Sequence, residues 1–323
     1  MAQVQVAQLG LLQGGTDSLE GFLKLSLAEV MAAYNAASVT NGRHKERNIQ
    51  NGKSAEFPCI GRTSAVYLKP GESLDDKRTN IPNARRTIVI DGLLTSNQLI
   101  TDLEEAMLHY DVRGEYTKQM GIALAQALDA GRIAEIAKEA ASGKENITGL
   151  GKGGVLSKTV TSKGITAETG AAIIEMLLDM KVKMKNNYVP DDGRVVYIKP
   201  EGAAALIQHR DVLNKDYGSP YTIIEGEVKK VCGFDLVECP HLTKGGVDNE
   251  NVLQGGGHIF PADYAKNAMF VAAHRDTIGT LILKSMQVEH ARRAEYQADM
   301  LVAKMAVGIG GLRPEAAFLG VIA

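Results

Sequence analysis

The chain has 323 residues, with 36 Lys and Arg against 38 Asp and Glu, a formal net charge of −2, and 45 % apolar residues. This is an ordinary globular composition, long enough for two subdomains. It lacks the basic excess with which proteins hold nucleic acid by its phosphates. The start, MAQVQVAQLG, has no leader pattern, and no apolar run is long enough to cross a bilayer.

In chain order, residues 1–16 read as disordered, rich in Gln and Gly. A helix follows over DSLEGFLKLSLAEVMAAYNAA, with Asp17 and Glu20 in capping-box spacing. Leu19, Phe22, Leu23, Leu27, Val30, Met31 and Tyr34 share one face of it. TNGRHKERNIQNGKSAEF is polar and without period, and reads as an extended connector.

Two strand-like runs, IGRTSAVYL and RTIVIDGLL, then flank the long charged stretch YLKPGESLDDKRTNIPNARR. A hairpin needs only a few turn residues. With about nine residues in each flank, such an arm reaches ~30 Å. A long two-stranded arm is marginal in water by itself. Its charged residues Lys69, Glu72, Asp75, Asp76, Lys77, Arg78, Arg85 and Arg86 therefore belong either to an arm resting on something else or to a floppy surface loop.

Residues 112–142 contain no proline and many good helix formers, and predict a helix ~45 Å long. Val112, Tyr116, Met120, Ala123, Leu124, Ala127 and Leu128 make its stripe, and its many Ala and Gly residues let it lie close to a sheet. ENITGLGKGGVLSKTVTSKG reads as a polar, glycine-rich link. A second helix over Ala167–Asn186 turns Ile173, Ile174, Leu177 and Leu178 inward. After it come a strand in RVVYIKP, a helix in EGAAALIQHRDVLN, a strand in KKVCGFDLVECP and a long loop from His241. The remainder is β-rich. Helices and strands segregate, so the fold class is α+β.

Short motifs do not add up to a reaction centre. Gly149, Gly151 and Gly154 have the G-x-G-x-x-G spacing, but that motif needs a strand before it and a helix after it, and a flexible link fits better than a nucleotide site. The two His-Arg-Asp triplets, at His209–Asp211 and His274–Asp276, lack the Asn of a kinase loop and read as surface polar residues near element ends. Cys59, Cys232 and Cys239 have no metal-ligand spacing and read as buried free thiols. Arg292, Arg293 and Lys304 are interleaved with Glu289, Glu295 and Asp299, which suggests an ion-pair network at a surface or between subunits. No catalytic residue, cofactor or metal is expected. The extended N-terminal segment, the projecting arm, the long thin helix and the β-rich end suit a subunit that holds its neighbours.

Three long strings carry a resemblance: NGKSAEFPCIGRTSAVYLKPGESLDDKR (51–78), TIVIDGLLTSNQLITDLEEAMLHYDVRGEYTKQMG (87–121) and HARRAEYQADMLVAKMAVGIGGLRPEAA (290–317). With the shorter KNNYVP, CPHLT and HIFPA, they resemble the major capsid proteins of T-seven-like short-tailed phages, the autographiviruses. That resemblance implies the Hong Kong ninety-seven type capsid fold. It assigns an N-terminal arm to 1–58, an extended loop lying across a neighbour to 59–92, and a peripheral domain with a spine helix to 93–145. It assigns an axial domain to 146–277 and return strands of the peripheral domain to 278–323. The charged residues of the arm would then make intersubunit contacts. The implied partners are further copies of the chain in hexamers and pentamers of an icosahedral shell, scaffolding and portal proteins during assembly, and packaged double-stranded DNA bound without sequence specificity. The implied places are the virion and, during assembly, the host cytoplasm; no membrane is involved. Two rivals are an encapsulin-like cellular compartment and a nucleotide-dependent enzyme using GLGKGG. On the capsid reading, the expectation is that residues 59–92 are positioned by a sister molecule rather than by their own body.

Overall fold

A computed structural model of the chain describes residues 18–107, 112–161, 164–208, 230–243 and 258–323. The chain divides into two compact units. One comprises the chain up to Ser38, Leu93–Ala127 and Lys284–Ala306, and the other comprises Val39–Gly92, Leu128–Leu283 and Val307–Ala323.

The larger unit is built on a six-stranded sheet. Its strands lie in the order Gly154–Lys158, Ala317–Ile322, Ala268–His274, Arg194–Ile198, Phe234–Glu238 and Lys230–Val231. The last strand of the chain runs parallel to Gly154–Lys158 and antiparallel to Ala268–His274, so it is interior to this sheet. Because side chains alternate along a strand, Arg194–Ile198 serves two cores. Val195 and Tyr197 pack with Ile133, Ala134, Ile136, Ala137 and Ala140 of the spine helix Val112–Ser142. Val196 and Ile198 pack on the opposite face with Ile173, Met176 and Leu177 of the helix Ala167–Asn186.

Both long helices have the bounds expected from sequence. Thr166 caps the second, its hydroxyl accepting from the Thr169 amide, and Lys183 and Lys185 sit in its last turn, where cations complement the helix dipole. Its buried stripe is Ile173, Met176, Leu177, Met180 and Met184. Leu178, expected to face inward, is exposed, and Ile174 is half-buried. Residues adjacent in sequence lie about 100° apart around a helix, so both members of each pair cannot point at one sheet. On the spine helix Met120, Leu124, Ala127 and Leu128 are buried as expected, whereas Tyr116 and Ala123 are exposed; the Val112 side chain lies outside the described residues. Residues 127–137 are buried around the whole helix circumference. That burial includes charged groups. Asp129 accepts from the Val39 amide at 2.7 Å and from the Thr40 hydroxyl, and Arg132 donates to Thr40 at 2.9 Å and to Thr280 at 3.3 Å.

The connector holds a strand that its composition conceals. Lys45–Asn48 runs parallel to Gly279–Ile282. All four of its residues are exposed, so it has no apolar alternation to betray it. The strands of that sheet lie in the order Lys45–Asn48, Ile278–Arg293, Ala298–Gly311 and Gly92–Thr101.

In the smaller unit, Ser18–Ala37 is helical and Val30 is fully buried. Gly121 of the spine helix approaches it so closely that a Cβ there would lie 2.4 Å from the Val30 carbonyl oxygen. The expected disorder of 1–16, the Asp17 cap, the first His-Arg-Asp triplet, the helix beyond Gln208 and most of the loop after His241 lie outside the described residues, as do the side chains of Leu19, Phe22 and Leu23. The basic cluster is a network within the chain. Arg292 reaches both Asp102 and Asp299, the latter at 3.1 Å, while Arg113 pairs with Asp299 at 2.9 Å and Lys304 with Glu289.

One buried cluster fixes the corner at which the arm returns to the larger unit. His258, 4 % exposed, bonds Asp91 at 2.7 Å through Nε2 and Glu135 of the spine helix at 2.8 Å through Nδ1. Asp91 also accepts from the Ile309 amide, and Lys138 faces Glu135 at 3.0 Å. Burial by itself would lower the pKa of His258, but the two carboxylates outweigh it and push it up to about 9. A histidine with a raised folded pKa adds stability that is complete below its unfolded value and is lost as pH rises through the folded one. His258→Gln is therefore expected to lower unfolding free energy by about 2–3 kcal/mol near neutral pH, with the difference from the parent fading by about pH 10. Urea titrations of both proteins across that range check it, and a pH-independent difference would contradict it.

Candidate assembly arm

The arm begins earlier than its sequence pattern suggested. Ser54–Ile60 pairs antiparallel with Asn83–Val89, from Ser54 opposite Val89 to Ile60 opposite Asn83. Seven residues in each strand give a paired root of ~23 Å. One further backbone bond, from the Gly61 amide to the Pro82 carbonyl at 2.8 Å, closes it. The expected first flank, 60–68, is strand only at Ile60; residues 61–69 have no assigned secondary structure. Their β-branched and aromatic residues suit a strand, but strand formation depends on a partner to pack and pair with.

The root is seated on its own unit, which corrects the expectation that a sister molecule positions all of 59–92. Phe57, Cys59 and Ile88 are buried with Ile147, Leu150, Leu281 and Leu312. Glycines shape the seat: a Cβ on Gly310 would stand 2.9 Å from Ile88, and one on Gly279 would stand 3.1 Å from it. At Gly308 a Cβ would fall 2.1 Å from the Val89 carbonyl oxygen. Arg62 donates to the Asn187 carbonyl, and its guanidinium lies 4.3 Å from the centre of the Tyr188 ring.

Beyond Arg62 the arm is exposed almost throughout. Its recorded polar contacts are local. Ser64 bonds Thr79 at 3.0 Å, Glu72 accepts from the Lys69 amide at 3.0 Å, and Lys77 reaches Glu72 and the Tyr67 carbonyl. The bond from Lys77 holds the Glu72 carboxyl below its ordinary range. A short 3-10 turn at Asp75–Lys77 forms the tip, where Arg78 pairs with Asp75 at 2.6 Å.

The eight charged residues singled out from sequence thus fall into two groups. Lys69, Glu72, Asp75, Lys77 and Arg78 stand on the tip, as does Asp76, whose side chain lies outside the described residues. Arg85 and Arg86 belong to the root. Arg85 meets Glu56 across the hairpin at 3.3 Å, and Arg86 points inward to Asn146 at 3.0 Å and Glu139 at 3.8 Å.

The chemical alternatives gain nothing from the geometry. GLGKGG follows the spine helix and leads into the strand Gly154–Lys158, the reverse of the order a pyrophosphate cradle needs. Gly151 instead faces the Asn187 side chain so closely that a Cβ would clash at 2.3 Å. His274–Asp276 makes the tight link between two strands. His274 is buried, its Nε2 donating to the Asp192 carbonyl at 2.9 Å and its Nδ1 accepting from the Asp276 amide. Cys59 and Cys239 are buried and Cys232 is half-buried, and none of the three is in a disulfide. Among the described residues no group of three or more His, Cys, Asp or Glu side chains is placed to hold a metal ion.

A family model described as Gp10A-like, major capsid protein, matches residues 56–319. The chain belongs to this capsid protein family. The major capsid protein of Enterobacteria phage T3 is 43 % identical to it, with 98 % of this chain and 97 % of the relative covered. That of Escherichia phage T7 is 42 % identical over 93 % of this chain and 91 % of the relative. A capsid structure of cyanophage P-SCSP1u superposes with a TM-score of 0.75 at 32 % identity, covering 100 % of this chain and 99 % of the other. The fold is the Hong Kong ninety-seven type, as the resemblance implied. In this capsid protein, Ile88→Ala is expected to cost about 2–4 kcal/mol through the cavity it leaves in the seat. Chemical unfolding measures this, and a loss below about 1 kcal/mol would show that the root is not anchored there.

Proposed function

We propose that the chain is the shell-forming subunit of the icosahedral head of a short-tailed double-stranded DNA phage. Copies associate as hexamers and pentamers, assemble in the host cytoplasm with a scaffolding protein and a portal, and enclose the genome without reading its sequence. The proposed peripheral and axial domains follow the boundaries expected from the resemblance. The role is structural and calls for no cofactor.

The observation that carries this reading is the arm. Its root is anchored by buried apolar side chains, while its tip is exposed. The contact with a neighbouring copy would be made by the exposed tip, and the eight charged residues, already engaged within the chain for the most part, would border it. Individual contacts can be weak, because each is repeated around a closed shell and linked sites gain avidity. The formal charge of −2 also suits a container wall, since a basic lining would hold packaged DNA tightly. An encapsulin-like compartment would share the fold, but identities of 42 % and 43 % to phage major capsid proteins favour the head.

The test replaces Thr63–Asn80 with a short glycine-containing turn, keeping both root strands and Arg62. Produced with its scaffolding protein, the parent should form closed shells visible by electron microscopy. The shortened chain should keep its circular dichroism and cooperative melting but stay in small oligomers. Closed shells from the shortened chain would defeat the arm's proposed role. Failure of the parent to assemble would defeat the shell reading itself.

A further inference from the structure

We propose that the arm is held on a second copy of the chain by exposed apolar side chains, Tyr67 and Leu74 foremost, rather than by its charges. The inference rests on the shell reading above and assigns the chemistry of the same contact.

Most of the arm's described charges already have partners within the chain. Lys77 is bound to Glu72, Arg78 to Asp75, Arg85 to Glu56, and Arg86 to Glu139 and Asn146. A neighbour's ions would have to displace these contacts, and exposed ion pairs contribute little when formed. The apolar side chains have no such satisfaction. Tyr67 is 97 % exposed and Leu74 75 %, and Val66 at 55 % and Leu68 at 48 % flank the tyrosine. Large aromatic side chains anchor interfaces because they bury much area with few rotatable bonds. The segment TSAVYL has the composition of a half-buried strand, yet among the described residues it has no strand partner in this chain.

The same chain also displays a platform that suits such an anchor. Leu103 and Met107, four residues apart on the helix Asp102–Met107, are 70 % and 69 % exposed. Tyr296, 66 % exposed, adjoins Gln297, whose carbonyl accepts from the Asp102 amide at 3.1 Å. The anchor of one copy meeting the platform of the next would be a head-to-tail contact, the kind that closes into a ring of identical subunits. Membership of a capsid protein family commits the occupant to a second copy rather than to another protein.

The experiment compares three variants with the parent, each produced with the scaffolding protein and scored for closed shells by sedimentation and electron microscopy. Tyr67→Ser/Leu74→Ser is expected to lower shell yield at least about tenfold while melting like the parent, because burial of two such side chains is lost. Leu103→Ser/Met107→Ser should do the same. Glu72→Gln/Asp75→Asn/Lys77→Gln/Arg78→Gln should assemble at parental yield, and parental yield should hold between about 0.05 M and about 0.5 M salt, where exposed ion pairs are progressively screened. Parental yield from either apolar variant would overturn the proposal, as would loss of shells in the charge variant. Unfolding of the Tyr67/Leu74 variant would overturn it too, by making those side chains part of the subunit's own core. Normal shells with loss of bound scaffold would reassign the patch to that protein. Failure of the parent alone would instead reject the shell reading on which the inference stands.

Discussion

The seating of the arm's root is the contact on which the rest of the structure's meaning depends. Phe57, Cys59 and Ile88 leave water on one face of a two-stranded ribbon and meet Ile147, Leu150, Leu281 and Leu312. An isolated ribbon of this length would not persist. One end is clamped to a body with its own two-faced core, and the other is left exposed. Arg86 ties the clamp to Asn146 and to Glu139 near the end of the spine helix, and Asp91 ties its return corner through His258 to Glu135. An exposed tip is costly for a solitary protein and useful for one that meets copies of itself.

The contrast between root and tip also separates two kinds of burial. At the root, glycines at 279, 308 and 310 let backbone and Ile88 approach closely, and the apolar side chains are already covered. At the tip, the polar groups satisfy one another while the apolar side chains remain in water. Charges that are already paired have little left to gain from a neighbour. Uncovered tyrosine and leucine leave a driving force that association can collect. This is the division of labour expected of an interface that must form many times over and still be correctable while a shell grows.

Much of the architecture was legible in the sequence where the signal is local. Val112–Ser142 and Ala167–Asn186 were bounded correctly because proline-free runs of good helix formers end in Gly143 and in a turn at Asn187. What depended on distant partners was not legible. Lys45–Asn48 is a strand only because Gly279–Ile282 lies beside it. The strand-like composition of RTSAVYL sets the first flank about six residues late, since among the described residues it has no pairing partner. Sequence alone sets Arg86 among the projecting charges although it faces inward, because its partner Glu139 is 53 positions further along. The seat itself was hidden for the same reason: nothing near Ile88 in sequence announces Gly279 or Gly310. The charged residues of the arm drew notice, but the exposed Tyr67 and Leu74 among them carry the signal that only accessibility reveals.

The central claim is that the tip of the arm loses its exposure to another copy and that the root does not change. Hydroxyl-radical labelling followed by peptide mass spectrometry reads this directly, on isolated subunits and on assembled shells of the same protein. The account predicts that Tyr67 and Leu74 are labelled strongly in the subunit and are protected in the shell, while Phe57 and Ile88 are protected in both. Equal labelling of Tyr67 and Leu74 in the two states would contradict it.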